Sequence, residues 1–271
     1  MEISGPLIYS TIISDFVNAP NGYLIVRMGN VEIEAILTNT IIPKLLNNAG
    51  FYYTSENTKI DEFNNWKREY IDAIKNSNCI FHVITCPSFQ ITMDFLTNEK
   101  IFKPILPYRE DCEFYLEIIH FLTFRSNVKI GIVTYFKEDI EKQLEYINQI
   151  NKDFPMKKEN IVLFKSYQSI TGNRPHTCHS ETLHTLQKEC LRDDIRHYFL
   201  SCGSYGLPLG NFLKENKKNV IYVGGILQCL FGLIGKRWAD RENIKPRINE
   251  FWKTPEMKPN NYTDVENGCY W

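Results

Sequence analysis

The sequence predicts an α/β fold: a mostly parallel, Rossmann-like sheet flanked by helices, with an irregular aromatic C-terminal segment packed on it. Three observations predict it. Short apolar runs alternate with stretches of helical period, two of those runs break directly into glycine turns, and after Arg237 the periodicity stops while tryptophan, tyrosine and proline accumulate.

The elements follow in order. Leu24-Ile25-Val26 is a short strand leading into Arg27-Met28-Gly29-Asn30-Val31-Glu32, after which Ile33, Ile36 and Leu37 keep helical spacing until Pro43 ends or kinks the helix. Ile80-Phe81-His82-Val83-Ile84 reads as a buried strand closed by Pro87, and Phe114, Ile118, Phe121 and Leu122 form the apolar stripe of a helix. The run 128–133 is the next strand, followed by helical spacing at Ile140, Leu144, Ile147 and Ile150, and then by the strand Ile161-Val162-Leu163-Phe164. Leu183, Leu186, Cys190 and Leu191 mark a helix before the strands Tyr198-Phe199-Leu200 and Val220-Ile221-Tyr222-Val223. Trp238, Trp252, Tyr262, Tyr270 and Trp271 make the last segment too aromatic to stay unfolded, so it is expected to wrap back over the sheet. Residues 1–271 are read as a single domain, with a subdivision near residue 125 as the alternative.

Composition narrows the partners. The 31 Lys+Arg balance 32 Asp+Glu, so no basic field advertises nucleic acid, and a small-molecule or glycan ligand is the better expectation. The amino terminus lacks a basic, then apolar, leader and no window approaches ~18 apolar residues, which predicts a soluble cytoplasmic chain without a membrane span. None of the eight cysteines forms a Cys-x-x-Cys pair, so a disulfide framework or a structural zinc is not expected.

Chemistry is expected where strands meet glycine. Gly203-Ser204-Tyr205-Gly206 follows one strand and Gly224-Gly225 another, and backbone amides approach an anion closely where side chains are absent. The spacing matches neither the dinucleotide fingerprint nor the phosphate loop, and Ser204 follows Gly203 too closely for a nucleophile elbow. Either the glycines cradle a diphosphate or they only let strands turn tightly into helices. His176, Cys178 and His179 crowd one loop; as metal ligands they lack a fourth partner, so either histidine is instead a candidate base or donor contact near an acceptor.

Several of these segments together resemble a family of GT-D-fold glycosyltransferase-like proteins found in bacterial surface-polysaccharide loci and in some large viruses. The resemblance is carried by the run from Val223 to Trp238, the ending Val265-Glu266-Asn267-Gly268-Cys269-Tyr270-Trp271 and the loop from Cys202 to Leu209. Arg27 to Glu32 resembles the family's Arg-aromatic-Gly-x-x-Glu element, 134–143 its Pro-Phe-x-x-Ser-Ile-x-x-Gln turn, and Gln168-Ser169-Ile170-Thr171-Gly172-Asn173 its Gln-Ser-x-x-Gly-Asn loop. The match runs from about residue 22 to the end and is thin between Asn57 and Tyr108.

The resemblance implies a glycosyltransferase of the GT-D type that moves a sugar from a nucleotide-diphosphate sugar to a glycan or glycoconjugate acceptor. Arg27, Gly29, Asn30, Gly203, Ser204, Tyr205, Gly206, Gly224, Gly225, Gln228, Lys236 and Arg237 are then expected around the donor, and Glu32, His176 and His179 at the chemistry. Related enzymes hold divalent manganese or magnesium with Asp-x-Glu; here Asn30 stands in the first position beside Glu32. Two other classes stay open: a noncatalytic nucleotide- or glycan-binding protein, and a methyltransferase-like enzyme on a doubly wound sheet. The second is weakened because Gly224 and Gly225 occupy the strand end where an acidic residue would hold a cofactor ribose.

Overall fold

The computed structural model describes residues 5–82, 89–107 and 112–271. Seven strands, β1 (Tyr23–Arg27), β2 (Cys79–His82), β3 (Ile105–Pro107), β4 (Ile130–Thr134), β5 (Ile161–Lys165), β6 (His197–Ser201) and β7 (Asn219–Tyr222), form one sheet in the order β3-β2-β1-β7-β6-β4-β5. Every neighbouring pair is parallel. Strands from either side of residue 125 therefore share one sheet. Val83, Ile84, Cys86, Pro87 and the first four residues, which also figured in the expectations above, lie outside the described residues.

The alternation of side chains divides the core in two. Ile25, Ile132, Phe199 and Ile221 face one layer, where the helices Gly5–Asn18 and Cys112–His120 pack with the C-terminal segment. Leu24, Val133, Leu200 and Val220 face the other, against the helices Asn30–Thr38, Lys59–Asn76, His179–Cys190 and Gly206–Glu215. Burial on both faces is why the strands read as unbroken apolar runs. Parallel pairing also brings every carboxyl end to one edge of the sheet.

Some expectations need correction. Pro43 does not end the helix begun at Asn30: that helix stops at Asn39 in the left-handed region (φ 50°), and Pro43 opens a new helix, Pro43–Asn47, at a first-turn position where its missing N–H costs nothing. The stripe through Phe121 fails because the helix ending at His120 loosens into a π-turn, Phe121–Arg125, which rotates Phe121 outward. Leu191 caps its helix from outside and is partly exposed, and Leu37 faces solvent. Leu144 falls in a 3₁₀ turn that breaks the expected helix between Gln143 and Ile147.

Elements not legible as such in the apolar runs include two long helices and one strand. The helix Lys59–Asn76 buries Phe63, Trp66, Tyr70, Ala73 and Ile74, a stripe that was legible at three- and four-residue intervals. The helix Gly5–Asn18 seals β1 and β7 with Ile12 and Phe16, and β3 is too short to announce itself in sequence.

Candidate functional site

The connections leaving β4 and β6 run in opposite directions, β4 outward to β5 and β6 inward to β7, although the two strands are neighbours. Such a divergence opens a crevice beyond the carboxyl ends of a parallel sheet. A cavity of about 320 Å³ occupies it, lined by residues following β1, β4, β5, β6 and β7 and closed by Glu266, Tyr270 and Trp271. That volume lies at the lower end of the ~300–1,000 Å³ typical of small-molecule sites.

On the β1 side the strand ends at Arg27 and the next helix starts with Gly29 as its N-cap. Glu32, in the first turn, folds its carboxylate back over the Gly29 backbone so closely that any Cβ there would overlap it. A side chain at position 29 would therefore have to push the Glu32 carboxylate aside. The Gly29 N–H donates to Tyr70 Oη at 3.2 Å, and Glu32 is 8% exposed while still lining the cavity. Burial raises the Glu32 carboxyl above its ordinary range, opposed by its own backbone N–H and by the nearby Arg27. Burial and the charge of Glu32 raise the phenols of Tyr70 and Tyr222, which consequently stay protonated. The Arg27 guanidinium lies over Gly224, with Nη1 2.7 Å from where a Cβ would stand.

The opposite wall is a chain of hydrogen bonds. Tyr205 Oη donates to Ser169 Oγ at 2.8 Å, and Ser169 Oγ donates to the Gly50 carbonyl at 2.7 Å, which ties the loop after β5 to the loop after β6. The third wall comes from the chain's last segment. Arg237 donates from Nη1 to Tyr270 Oη at 3.1 Å, pairs through Nη2 with Glu266, and lies 4.7 Å from the Tyr270 ring centroid. Gln228 is 1% exposed and donates from Nε2 to the carbonyls of Tyr270 and Leu233 at 3.1 and 3.4 Å. Its Oε1 is buried without a hydrogen-bond partner among the described residues.

Comparison with protein-family models, with curated proteins and with solved structures finds no match for this chain.

Of the expected residues, Arg27, Gly29, Asn30, Glu32, Gly203, Tyr205, Gly224, Gly225, Gln228 and Arg237 line the one cavity. Ser204, Gly206, Lys236, His176 and His179 do not. His179 is 1% exposed, stacks on Tyr205 with ring centroids 4.2 Å apart, and its Nε2 lies 2.8 Å from Ser204 Oγ. Burial pushes its pKa down to about 3, so it is a neutral packing group rather than a base at the cavity. His176 faces Thr182, with Nδ1 to Oγ1 at 2.9 Å, and Lys236 donates to the Asn267 carbonyl at 3.2 Å.

The backbone amides of the glycine loop are committed to the fold. The amide of Ser204 donates to the Ala49 carbonyl at 2.8 Å, that of Tyr205 to Cys202, and that of Gly206 to Gly203, so these three N–H groups are spent on the fold and cannot cradle a diphosphate. Gly203 sits at φ +55°, and a Cβ there would come 2.5 Å from the Ala49 carbonyl oxygen. Gly203→Ala is accordingly expected to lower stability by about 2 kcal/mol, from left-handed strain plus the clash, and not to weaken ligand binding selectively. Urea unfolding beside a ligand titration of the folded fraction separates the two effects. Unchanged stability with lost binding would return the loop to a ligand-holding role.

A divalent metal fares no better here. Asn30 is exposed at the helix start, Glu32 is a single buried carboxyl beside a guanidinium, and no group of three His, Cys, Asp or Glu converges among the described residues. Manganese and magnesium require several oxygen ligands with compensating negative charge. Asn30 and Glu32 do not fit that requirement.

Residues that sequence reading did not single out include Tyr70, Tyr222, Glu266 and Tyr270. The burial of Tyr70 is legible in the apolar stripe of its helix, but its contact with the distant Gly29 amide has no local signal. The others lie within quoted motifs and were within reach.

Proposed function

We propose that the protein is a glycosyltransferase that moves a sugar from a nucleotide-diphosphate sugar to a glycan or glycoconjugate acceptor. The observation that carries this reading is the gathering of Glu32, Arg27 and Arg237 in one crevice at the carboxyl edge of the parallel sheet. The resemblance of the surrounding motifs supplies the donor class.

In such a transfer the bond from the anomeric carbon to the diphosphate oxygen breaks, its electron pair leaves with the diphosphate, and the acceptor hydroxyl oxygen bonds to the carbon as its proton passes to the departing diphosphate or to water. Positive charge grows on the sugar and negative charge on the leaving group. Glu32 is the lone carboxyl on the β1 side of the cavity and serves the first. Arg27 and Arg237 serve the second, Arg237 already oriented by Tyr270. The apolar surroundings of Glu32 strengthen its electrostatic effect on a forming cation.

A thermal-shift panel of nucleoside diphosphates, their sugars, S-adenosylmethionine and NAD tests the assignment. One diphosphate family is expected to stabilise the chain by about 2.7 kcal/mol at a hundredfold excess over Kd, with no manganese requirement. Stabilisation by S-adenosylmethionine or NAD alone would refute it. Binding of a sugar nucleotide without transfer or hydrolysis would favour the noncatalytic alternative.

A further inference from the structure

The charged residues lining the cavity are Arg27, Arg237, Glu32 and Glu266. Two of them, Arg237 and Glu266, are already paired with each other at the mouth. The two partners differ in how firmly they are held. Arg237 is three-quarters buried, stacked against Tyr270 and Trp238, and bonded to Tyr270 Oη. Glu266 is half exposed, and its other oxygen is 3.5 Å from Asn48 Nδ2 on the far wall. The carboxylate thus spans the opening from one wall to the other.

The backbone beneath Glu266 is strained. Glu266, Asn267 and Gly268 have φ of 47°, 56° and 74°, three successive residues in the left-handed region. Glycine and asparagine adopt that region readily; for glutamate it is costlier, and such outliers persist where surrounding structure enforces them. Here the enforcing contacts include the Arg237 pair, the hydrogen bonds from Gly268 N and Cys269 N to the Val265 carbonyl at 2.9 and 3.2 Å, and that from Lys236 to the Asn267 carbonyl.

We propose that Glu266 is the resident occupant of an anion subsite built on Arg237, and that a phosphoryl group of the ligand takes its place as the 266–268 turn swings out of the mouth. The proposal rests on the reading of the cavity as a site for a nucleotide-diphosphate sugar. Charge supports it. With Glu266 in place the four side chains balance formally; with it displaced, two guanidinium groups face the single carboxylate of Glu32, and the net positive charge left in the cavity matches a diphosphate. The exchange is feasible because a half-exposed single ion pair is weak, whereas a guanidinium held in a fixed orientation binds phosphate oxygens through paired, charge-assisted hydrogen bonds. Two of Arg237's five side-chain N–H groups have acceptors among the described residues, Tyr270 and Glu266, which leaves donors for a second phosphate oxygen.

Calorimetric titration of the full chain with inorganic pyrophosphate tests this. Glu266→Gln is expected to bind pyrophosphate up to about fivefold more tightly than the wild type, since removing a competing anion is worth roughly that much for a partly exposed pair. Arg237→Gln is expected to bind it at least tenfold more weakly. Equal or weaker binding by Glu266→Gln overturns the proposal, as does wild-type affinity in Arg237→Gln. Hydrogen exchange on the wild type gives an answer independent of variant folding: the Gly268 amide should lose protection on saturation with pyrophosphate, and unchanged protection overturns the displacement. Failure of the glycosyltransferase reading is distinguishable, because sugar nucleotides would then be neither bound nor turned over by any variant while pyrophosphate still followed this pattern.

Discussion

Removal of residues 252–271 is expected to leave a chain that does not fold. The segment is part of the main core: Trp252, Val265, Cys269 and Trp271 are buried with Phe136, Ile140, Ile226 and Trp238. Its backbone is also pinned. Ile234 N donates to the Lys253 carbonyl at 2.8 Å, Arg237 N to Cys269 at 2.9 Å, and Trp271 Nε1 to Met257 at 2.6 Å. The buried Asp139 carboxylate accepts the amides of Glu256 and Met257, both at 3.2 Å, and loses both partners on truncation. Truncating one large aromatic side chain in a core costs about 3–5 kcal/mol. Two buried tryptophans therefore approach the ~5–15 kcal/mol that holds a whole domain together. Insoluble expression, or loss of a cooperative melting transition, is the expected result; Trp271→Ala alone should lower unfolding free energy in urea by about 3 kcal/mol. A truncated chain that melts where the full chain does would show the segment to be an appendage.

Glu32→Gln is expected to cut sugar transfer about a hundredfold or more while leaving diphosphate binding in place, because the lost charge acts on the transition state rather than on the bound donor. The amide keeps the size of the side chain and its helical propensity, so the packing over Gly29 survives. Stability provides an independent readout with a definite sign. The folded-state pKa of Glu32 is raised, chiefly by burial, so the native state holds this proton more tightly than the unfolded chain does. As pH rises from the unfolded value of about 4.5 through the folded one, the wild type loses stability that Glu32→Gln does not lose. The variant should match the wild type at pH 4 and exceed it at pH 8. Full transfer activity in Glu32→Gln, measured with any accepted sugar nucleotide, would remove this residue from the chemistry and leave it a helix-start carboxyl.

The sequence by itself determined the class of the fold and the edge of the sheet where the cavity lies. Runs such as Val220-Ile221-Tyr222-Val223, short, β-branched and apolar on both faces, read as strands covered on both sides, and their alternation with helices points to parallel pairing. It also determined the Arg27 to Glu32 element and the burial of the aromatic ending, since glycine at a strand-to-helix junction and unpaired tryptophans leave few alternatives. What only the tertiary structure decided was where individual groups spend their hydrogen bonds. Periodicity records which face of an element is apolar, but not which carbonyl lies opposite an amide. Ser204 N meets Ala49, more than 150 residues earlier in the chain, and that one contact turns a candidate phosphate cradle into a structural turn. His179 likewise reads as a reactive side chain until Tyr205 and Ser204 close over it. Glu266 gains its place only because the last turn of the chain, in a left-handed conformation, returns to Arg237. Such contacts arise from the packing of distant segments, which local pattern does not encode.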